Sequence, residues 1–253
     1  MFDRVNICGV GIDNVSMPKA IEAVEDCISN KKNCMVSFLN VDVLIKAQNE
    51  IFKIILTKSC LLLADGVPLL WAAKFLGTPL KEKISGSDLF PKLCEIAAEK
   101  GYKVFFLGGR AGAGLKTAEV LKNKHSKIQV AGVYSPPFGF EQDEVENKKI
   151  IRMIKEAKPD ILFVGLGAPK QEKWIYKYKD EYQVPVSIGV GASFEFVSGF
   201  VKRAPVLMQK TGFEWFWRLM QEPKRLWKRY LVDDMKFFWL VLKQKYNKSN
   251  SSN

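Results

Sequence analysis

Short apolar runs alternate with longer amphipathic stretches along most of this 253-residue chain. Apolar runs between turn residues predict strands, and apolar positions repeating every three or four residues predict helices. The predicted strands lie at 4–10, 34–38, 60–64, 103–109, 128–134, 160–167 and 184–191. The predicted helices lie at about 18–29, 41–57, 67–76, 87–100, 113–124 and 143–157, and another begins near 169. This alternation predicts an α/β fold, with a mostly parallel sheet covered by helices on both faces.

Loops that contain glycine follow four of the predicted strands. Ligands of open α/β sheets bind at the carboxyl ends of the strands, and glycine lets the backbone approach them closely. The loop around Gly108 lacks the GxGxxG spacing at the first strand and is followed by no P-loop lysine. It is therefore either a ligand-binding loop or a plain turn. The four loops lie at 64–68, 106–114, 165–172 and 189–196.

Acid–base chemistry in this chain falls to carboxylates. The single histidine, His125, lies in a polar segment, the cysteines lack metal-ligand spacing, and no GxSxG motif is present. Asp65 follows a buried strand and is either a helix cap or a reactive group at a pocket. Asn40, which also follows a predicted strand, could cap the next helix. Gln171 could bind a nucleotide or sugar, whereas Glu172 beside it could simply favour the helix dipole.

Basic residues are concentrated at the carboxyl end of the chain. The whole sequence has 39 Lys and Arg, 27 Asp and Glu and a net charge of +12, which favours an anionic partner. Residues 200–253 hold twelve basic and four acidic residues, and four of the six tryptophans. This segment could contact a membrane, pack on the preceding domain or bind nucleic acid. We expect the polar residues 247–253 to be disordered.

The cysteines and the terminal segments indicate the compartment. Five cysteines without a CxxC motif predict reduced thiols. The chain has no signal-peptide pattern and no uncharged apolar run of the roughly 18 residues that a spanning helix needs. We therefore expect a cytoplasmic protein without a spanning helix.

An ordered set of motifs over about residues 5–231 resembles the WecG/TagA/CpsF family of glycosyltransferases. The first motifs are LNVD (39–42), ADGVPLLWAAKFLGTPLKEKISGSDLF (64–90), SPPFGF (135–140) and PDILFVGLGAPKQEKWI (159–175). The later motifs are IGVGASFEFVSG (188–199), KRAP (202–205) and GFEWFWRLMQEPKRLWKRY (212–230). The SPPFGF loop looks more like the capsule or exopolysaccharide branch than the teichoic acid branch.

The resemblance implies an inverting transfer of a hexose or N-acetylhexosamine from a UDP-sugar to a polyprenyl-diphosphate-linked sugar. It implies no cofactor and no required metal. It also implies a Rossmann-like catalytic domain, here 1–200, and a basic helical appendage, here 201–246, that attaches to the anionic inner face of the cell membrane and completes the active site. Nucleic acid is not an expected partner, and a homo-oligomer is left open.

The resemblance also implies roles for single residues. Asp65 matches the family's general base, and Asn40 and Gln171 match positions near the donor. Lys83 stands where the family commonly has Arg, and Glu195 stands where it commonly has Asp at a nucleotide contact. The remaining candidates for substrate binding are Gly108, Arg203, Arg218, Arg225 and Arg229. The alternative is a non-catalytic protein that binds a nucleotide or nucleic acid through the same sheet and basic tail.

Overall fold

The computed structural model describes residues 2–250, except for the side chains of Arg225 and of residues 248–250. Six parallel strands form one sheet, in the order β4-β3-β8-β7-β5-β6. These strands are β3 (Cys34–Leu39), β4 (Leu61–Ala64), β5 (Lys103–Gly108), β6 (Gln129–Tyr134), β7 (Ile161–Gly165) and β8 (Val186–Gly189). A separate antiparallel hairpin consists of β1 (Arg4–Ile7) and β2 (Val10–Asp13).

Helices follow the strands of the sheet and continue beyond its last strand. Those of the sheet region are α1 (Met17–Ser29), α2 (Val41–Lys46), α3 (Glu50–Thr57), α4 (Val67–Phe75), α5 (Gly86–Lys100), α6 (Ala113–Lys124), α7 (Glu144–Ala157), α8 (Lys170–Tyr182) and α9 (Ser193–Val197). The appendage contains α10 (Val206–Thr211), α11 (Glu214–Gln221), α12 (Pro223–Lys228), a π-helical turn (Arg229–Asp233) and most of α13 (Lys236–Asn250). A 3-10 turn spans Phe140–Gln142.

Alternate residues of the strands enter two separate hydrophobic cores, one on each face of the sheet. Met35, Leu62 and Leu162 belong to the core on one face. Phe106 and Phe163 belong to the core on the other face. Because successive side chains of a strand point to opposite faces, strands covered on both faces must be apolar throughout. The predicted α/β fold with helices on both faces is therefore confirmed.

The first predicted strand is wrong, because residues 4–10 do not run straight. Cys8 and Gly9 adopt positive φ angles of 48° and 83° and form the turn between β1 and β2. Two central residues with positive φ suit the twist of a tight hairpin. The Asp13 carboxylate accepts a hydrogen bond from the Leu62 amide (2.8 Å), which holds the hairpin against β4.

The single helix predicted at 41–57 is also wrong. The chain leaves the helix after Lys46 and starts a new one at Glu50. The Asn49 side chain accepts a hydrogen bond from the Phe52 amide (3.1 Å) and caps the second helix. A side chain that satisfies a free helix amide in this way stabilises a helix start within an otherwise continuous helical pattern.

The appendage folds back onto the sheet region through its last helix. Phe237 and Val241 of α13 are buried in one of the two sheet cores. The Gln244 side chain accepts a hydrogen bond from the Cys8 amide (2.7 Å) and donates one to the Asn6 carbonyl (3.0 Å). α13 continues through Asn250, whereas the sequence predicted disorder from residue 247. Residues 251–253 of that predicted tail lie outside the described residues.

Two cysteines differ from the prediction of reduced thiols. Cys27 near the end of α1 and Cys34 at the start of β3 form a disulfide, with their Cα atoms 6.2 Å apart. The prediction is wrong for this pair because the chain reverses between α1 and β3, which brings two residues seven positions apart into contact. Cys8, Cys60 and Cys94 are free. None of the helices in the described part of the chain has the length and apolar character needed to cross a membrane.

Candidate active site

A cavity of about 280 Å³ lies between the ends of two neighbouring strands and the appendage. Leu39 of β3 and Ala64 of β4 are paired in the sheet, so Asn40 and Asp65 follow neighbouring strand ends. Five of the residues predicted from the sequence line the cavity, namely Asn40, Asp65, Lys83, Arg218 and Arg229. The first three come from the sheet region and the two arginines come from the appendage. Residues far apart in the sequence therefore meet in one cavity.

The backbone fixes the Asp65 carboxylate at the wall of this cavity. The Asp65 amide donates to the Leu39 carbonyl (2.7 Å), which extends the strand pairing by one residue. Gly66, with a φ of 137°, then turns the chain into α4. The cap position of α4 belongs to Gly66, and Asp65 provides no side-chain cap. No hydrogen-bond partner of the Asp65 carboxylate occurs among residues 2–250 whose side chains are described.

The surroundings of Asp65 change its acidity. Burial is the main cause that raises the pKa of this carboxyl to about 6, and the nearby carboxylates of Glu214 and Asp88 act in the same direction. The positive charges of Lys83 and Arg218 oppose the increase. A carboxyl with this pKa is ionised at neutral pH and is a stronger base than an exposed aspartate. The group is therefore suited to accept a proton from a substrate hydroxyl.

Asn40 serves as a helix cap and also lines the cavity. Its side-chain oxygen accepts a hydrogen bond from the Val43 amide (3.0 Å) at the start of α2. This is the capping interpretation that the sequence left open. The cap holds the side-chain oxygen in place. The Asn40 amide nitrogen is then the group through which this side chain can bind a ligand.

The cations of the cavity differ in their partners. The Lys83 ammonium lies 3.3 Å from an Asp88 carboxylate oxygen, and the Arg229 guanidinium lies 3.6 Å from Asp42. The Arg218 guanidinium lies over the Phe196 ring, 5.6 Å from its centre, and no carboxylate of the described side chains pairs with it. Arg218 is therefore the cation most available to an anionic ligand. The side chain of Arg225 lies outside the described residues.

Arg203 connects the sheet region to the appendage beside this cavity. It donates to the Asp88 carboxylate (2.6 Å) and to the Ser87 carbonyl (3.3 Å). It also lies 3.9 Å from Glu214 of α11. Arg203 and Lys83 line a second, neighbouring cavity on the other side of this charge network. The geometry gives Arg203 a role in holding α11 against the sheet region.

Gln171 lies at the ends of other strands and does not line the first cavity. Its side-chain oxygen accepts hydrogen bonds from the Gly167 and Gly191 amides (3.1 and 3.0 Å), which lie in the loops after β7 and β8. Its nitrogen donates to the Glu172 carboxyl (2.8 Å). Burial raises the pKa of Glu172 to about 7. The polar atoms of Gln171 are thus used to hold the two loops together.

Gly108 and Glu195 do not line the first cavity either. A Cβ atom at Gly108 would come within 2.7 Å of the Gly165 carbonyl oxygen, and its φ of +96° is a conformation that favours glycine. One Glu195 carboxylate oxygen accepts a hydrogen bond from the Arg110 amide (3.0 Å). The other oxygen is buried without a partner among the described residues. This unpartnered acceptor is suited to a ligand that carries an N–H group.

Three carboxylates of the cavity were missed by the sequence reasoning. Glu214 and Asp234 come from the appendage, and Asp42 follows Asn40 by two residues. Burial raises the pKa of Asp234 to about 6, against the effect of Arg229. Asp42 lies inside the LNVD motif and could have been selected there, whereas Glu214 and Asp234 carried no comparable signal. In the described part of the chain, no group of three His, Cys, Asp or Glu residues is arranged to hold a metal ion.

Comparison with known proteins identifies relatives that are glycosyltransferases. The model of the glycosyl transferase WecG/TagA/CpsF family matches residues 5–251. An N-acetylglucosaminyldiphosphoundecaprenol N-acetyl-beta-D-mannosaminyltransferase of Bacillus spizizenii (strain ATCC 23059 / NRRL B-14472 / W23) is 35% identical over 81% of this chain and 77% of its own. The enzyme of the same name from Bacillus subtilis (strain 168) is 33% identical over 87% of this chain and 84% of its own. The enzyme of the same name from Staphylococcus aureus (strain MRSA252) is 29% identical over 88% of this chain and 87% of its own.

Proposed function

Because the chain belongs to the WecG/TagA/CpsF family of glycosyl transferases, we propose that it transfers N-acetylmannosamine from a UDP-linked donor to N-acetylglucosaminyl-diphosphoundecaprenol. The protein is a glycosyltransferase, which sets aside the alternative of a non-catalytic binding protein. The names of the relatives support the two sugars and the lipid carrier. The observation that carries the proposal is the Asp65 carboxylate, which faces a cavity lined by cations of the appendage.

In the proposed reaction, Asp65 is the general base. It accepts the proton of the acceptor hydroxyl while that oxygen attacks the anomeric carbon of the donor sugar. The bond between this carbon and the UDP oxygen breaks on the opposite face, so the configuration inverts. The UDP leaves with the bonding electron pair, and the proton on Asp65 later passes to water. The raised pKa of Asp65 supports this role, because it improves the base while leaving it ionised at neutral pH.

The cations of the appendage stabilise the diphosphate as its charge increases. Arg218 is the first candidate, because its guanidinium has no carboxylate partner among the described side chains. Arg229 lies near Asp42 and Asp234, and it can exchange these carboxylates for the phosphate oxygens of the lipid-linked acceptor. Lys83 contributes charge from the sheet side of the cavity. Arg225 remains a candidate on its sequence position alone.

The donor nucleotide binds, in this proposal, at the ends of β5, β7 and β8. The free Glu195 oxygen accepts a hydrogen bond from an N–H group of the base. Gly108 and Gln171 act there by shaping the loops rather than by contact. Their tight packing and internal hydrogen bonds support that role.

We assign residues 1–200 to the catalytic domain and residues 201–246 to an appendage that attaches to the anionic inner face of the cell membrane. The appendage exposes large apolar side chains next to basic ones. Trp227 is 52% exposed, Trp239 is 69% exposed and Leu242 is 53% exposed. Such a surface suits a lipid interface, where each nearby basic residue adds about 1 kcal/mol of attraction to anionic lipid. Homo-oligomerisation stays a prediction.

A transfer assay tests the proposed function. The full chain is incubated with UDP-N-acetylmannosamine and a polyprenyl-diphosphate-linked N-acetylglucosamine, and the product is identified by mass spectrometry. We expect a lipid-linked disaccharide with N-acetylmannosamine at its end. UDP-N-acetylglucosamine and UDP-glucose serve as competing donors. Preference for one of these would change the assigned donor, and absence of transfer from every donor would refute the proposed function.

A further inference from the structure

The candidate active-site cavity has an apolar side that the proposed chemistry does not use. We call it the apolar wall, and it consists of Val67, Pro68, Trp71, Leu231, Met235 and Phe238. The first three residues belong to α4, which starts directly after Asp65 and Gly66. Leu231 belongs to the π-helical turn, Phe238 belongs to the start of α13, and Met235 lies between these two elements. The sheet region and the appendage therefore build this wall together.

The apolar wall is open to solvent although its residues are large and hydrophobic. Trp71 is 54% exposed, Met235 is 55% exposed and Phe238 is 53% exposed. Exposed apolar side chains that are gathered around a cavity indicate a binding surface rather than a core. Val67 and Trp71 lie within 3.3 Å of the position that a Cβ atom would take on Gly212, so the appendage packs directly beside the wall.

Charged residues line the same cavity, among them Asp65, Arg218 and Arg229. Arg229 lies in the π-helical turn, two residues before Leu231 of the wall. Arg218 is the first candidate for the donor diphosphate, so Arg229 is the cation assigned to the ligand of this wall. A ligand that contacts Arg229 and the wall carries an anionic group attached to a hydrocarbon chain. A nucleotide sugar has no hydrocarbon chain, whereas a polyprenyl diphosphate has both parts. The distribution of charge and apolar surface therefore favours the acceptor over the donor as the ligand of this wall.

We propose that the apolar wall binds the first isoprene units of the acceptor lipid, next to the diphosphate. This inference rests on the proposed function, because it takes the acceptor to be a polyprenyl diphosphate. The lipid is then recognised by the enzyme itself and does not serve only as a membrane anchor. Its first units leave the bilayer and lie between α4 and α13 while the sugar reaches Asp65. The wall thus helps to set the position of the acceptor hydroxyl.

A binding series in solution tests the wall without any membrane. Isopentenyl, geranyl and farnesyl diphosphate carry the same charged group on chains of one, two and three isoprene units. Each is titrated into the full chain by calorimetry, below its micelle-forming concentration. We expect the Kd to fall by at least about tenfold from the shortest to the longest chain, because each added unit buries apolar surface. Equal Kd values across the series would overturn the proposal.

Polar variants of the wall locate the effect. Met235→Gln and Phe238→Gln place a polar group on the wall without changing charge, and each should reduce the chain-length dependence by at least about threefold. The matched control is Ile51→Gln, since Ile51 on α3 is 70% exposed and lies outside the cavity. In this control variant, the Kd should depend on the number of isoprene units as it does in the unchanged protein. If the Kd still depended on the number of isoprene units in both wall variants, the isoprene chain would bind elsewhere on the protein, and the proposal would be overturned.

A transfer assay separates failure of this inference from failure of the proposed function. Two soluble acceptors are compared, in which N-acetylglucosaminyl diphosphate carries one or three isoprene units. Equal kcat/KM values for the two acceptors would refute binding of the isoprene units by the apolar wall, while the transferase activity would be established. Chain-length-dependent binding without transfer to either acceptor would retain the prenyl site and refute the proposed function. A contact of the wall with the donor sugar alone predicts equal acceptor values and a raised donor KM in the wall variants.

Discussion

The ends of β3 and β4 and the ends of β7 and β8 lie at the same edge of one sheet, but their polar side chains have different surroundings. Asp65 faces a cavity, and its carboxylate has no hydrogen-bond partner among the described side chains. Gln171 has its side-chain oxygen and nitrogen engaged within the protein. A polar group that the protein leaves unsatisfied is available to a substrate, whereas a satisfied one stabilises the loops that form the site.

The appendage is the structural reason for this difference. Its α11 and π-helical turn cover the ends of β3 and β4 without filling the space, and they supply Glu214, Arg218 and Arg229. At β7 and β8, the chain fills the space itself with Gln171 and Glu172, both of which are buried. We therefore propose that the first region carries out the proton transfer. In the second region Gln171 supports the loops, and Glu195 keeps one oxygen free for the donor. Each of the following experiments tests whether the two regions differ in this way.

The largest effect is expected for Asp65→Asn. Loss of the base should lower kcat by roughly 10²–10⁴-fold, the usual range for general base catalysis. The same change should raise the free energy of unfolding at neutral pH by about 1–2 kcal/mol, because an ionised, partly buried carboxylate is removed. Turnover and urea unfolding measure the two effects.

The control for this change is Asp180→Asn, whose side chain is 77% exposed. It should leave both quantities unchanged. Near-normal turnover of Asp65→Asn would exclude Asp65 as the base. If Asp65→Asn lowered the stability, the Asp65 carboxylate would be held by favourable contacts. The ends of β3 and β4 would then not differ in this respect from the ends of β7 and β8.

Gln171→Ala should lower the stability of the fold, whereas Asp65→Asn should raise it. The Gly167 and Gly191 amides lose their acceptor, and Glu172 loses its donor. The free energy of unfolding should therefore fall by about 2–3 kcal/mol. Urea unfolding measures the change, and the donor KM in the transfer assay reports on loop position.

Gln142→Ala, at an exposed position just before α7, is the matched control and should unfold like the unchanged protein. Gln171→Ala with unchanged stability and a strongly raised donor KM would assign Gln171 to direct substrate contact. That result would contradict the supporting role that its hydrogen bonds indicate.

A smaller effect is expected for Arg218→Gln. Loss of this cation should reduce kcat/KM by about tenfold to a hundredfold, as expected for one charge-assisted hydrogen bond to a phosphate. Arg218→Lys should retain part of the activity, because the charge remains while the fork geometry is lost. The unfolding free energy should stay constant in both variants.

Arg152→Gln removes an exposed arginine of α7 and serves as the control for charge. Its kcat/KM should match that of the unchanged protein. If Arg218→Gln lost stability instead of activity, Arg218 would be a structural residue of the appendage, and the available cation would have to be sought elsewhere.

The smallest effect is a dependence on pH. With a pKa of about 6, Asp65 becomes protonated as the pH falls, so kcat/KM should decrease about tenfold per pH unit below 6. The raised pKa also means that the folded state binds the proton more tightly than the unfolded state. Asp65 therefore destabilises the fold fully above about pH 6, and this contribution disappears as the pH falls towards the usual value of 3.8.

The difference in unfolding free energy between the unchanged protein and Asp65→Asn isolates this contribution. Burial raises the pKa values of Glu172 and Asp234 as well, so the total pH dependence includes them. We expect the difference to shrink between about pH 6 and pH 4. A kcat/KM midpoint near pH 4 would mean that Asp65 titrates like an exposed aspartate.

Much of the fold was accessible from local patterns, and the errors have local causes. The strands of the sheet were found because strands buried on both faces must be apolar throughout. The hairpin was missed because a turn at Cys8 and Gly9 looks like a continuous apolar run. The break between α2 and α3 was missed because a single asparagine, Asn49, starts a new helix within an amphipathic pattern.

The sequence by itself determined the α/β order of the elements and the position of Asn40 and Asp65 after strands, because both follow from contacts between near neighbours in the chain. It also gave the ordered motifs that resemble the family. Only the tertiary structure decided which polar groups stay unsatisfied. Gln171 is engaged by a glycine twenty residues away, and Lys83 and Asp65 lie close to Glu214 of the appendage. Burial and charge pairing depend on such distant contacts, and no local pattern of residues encodes them.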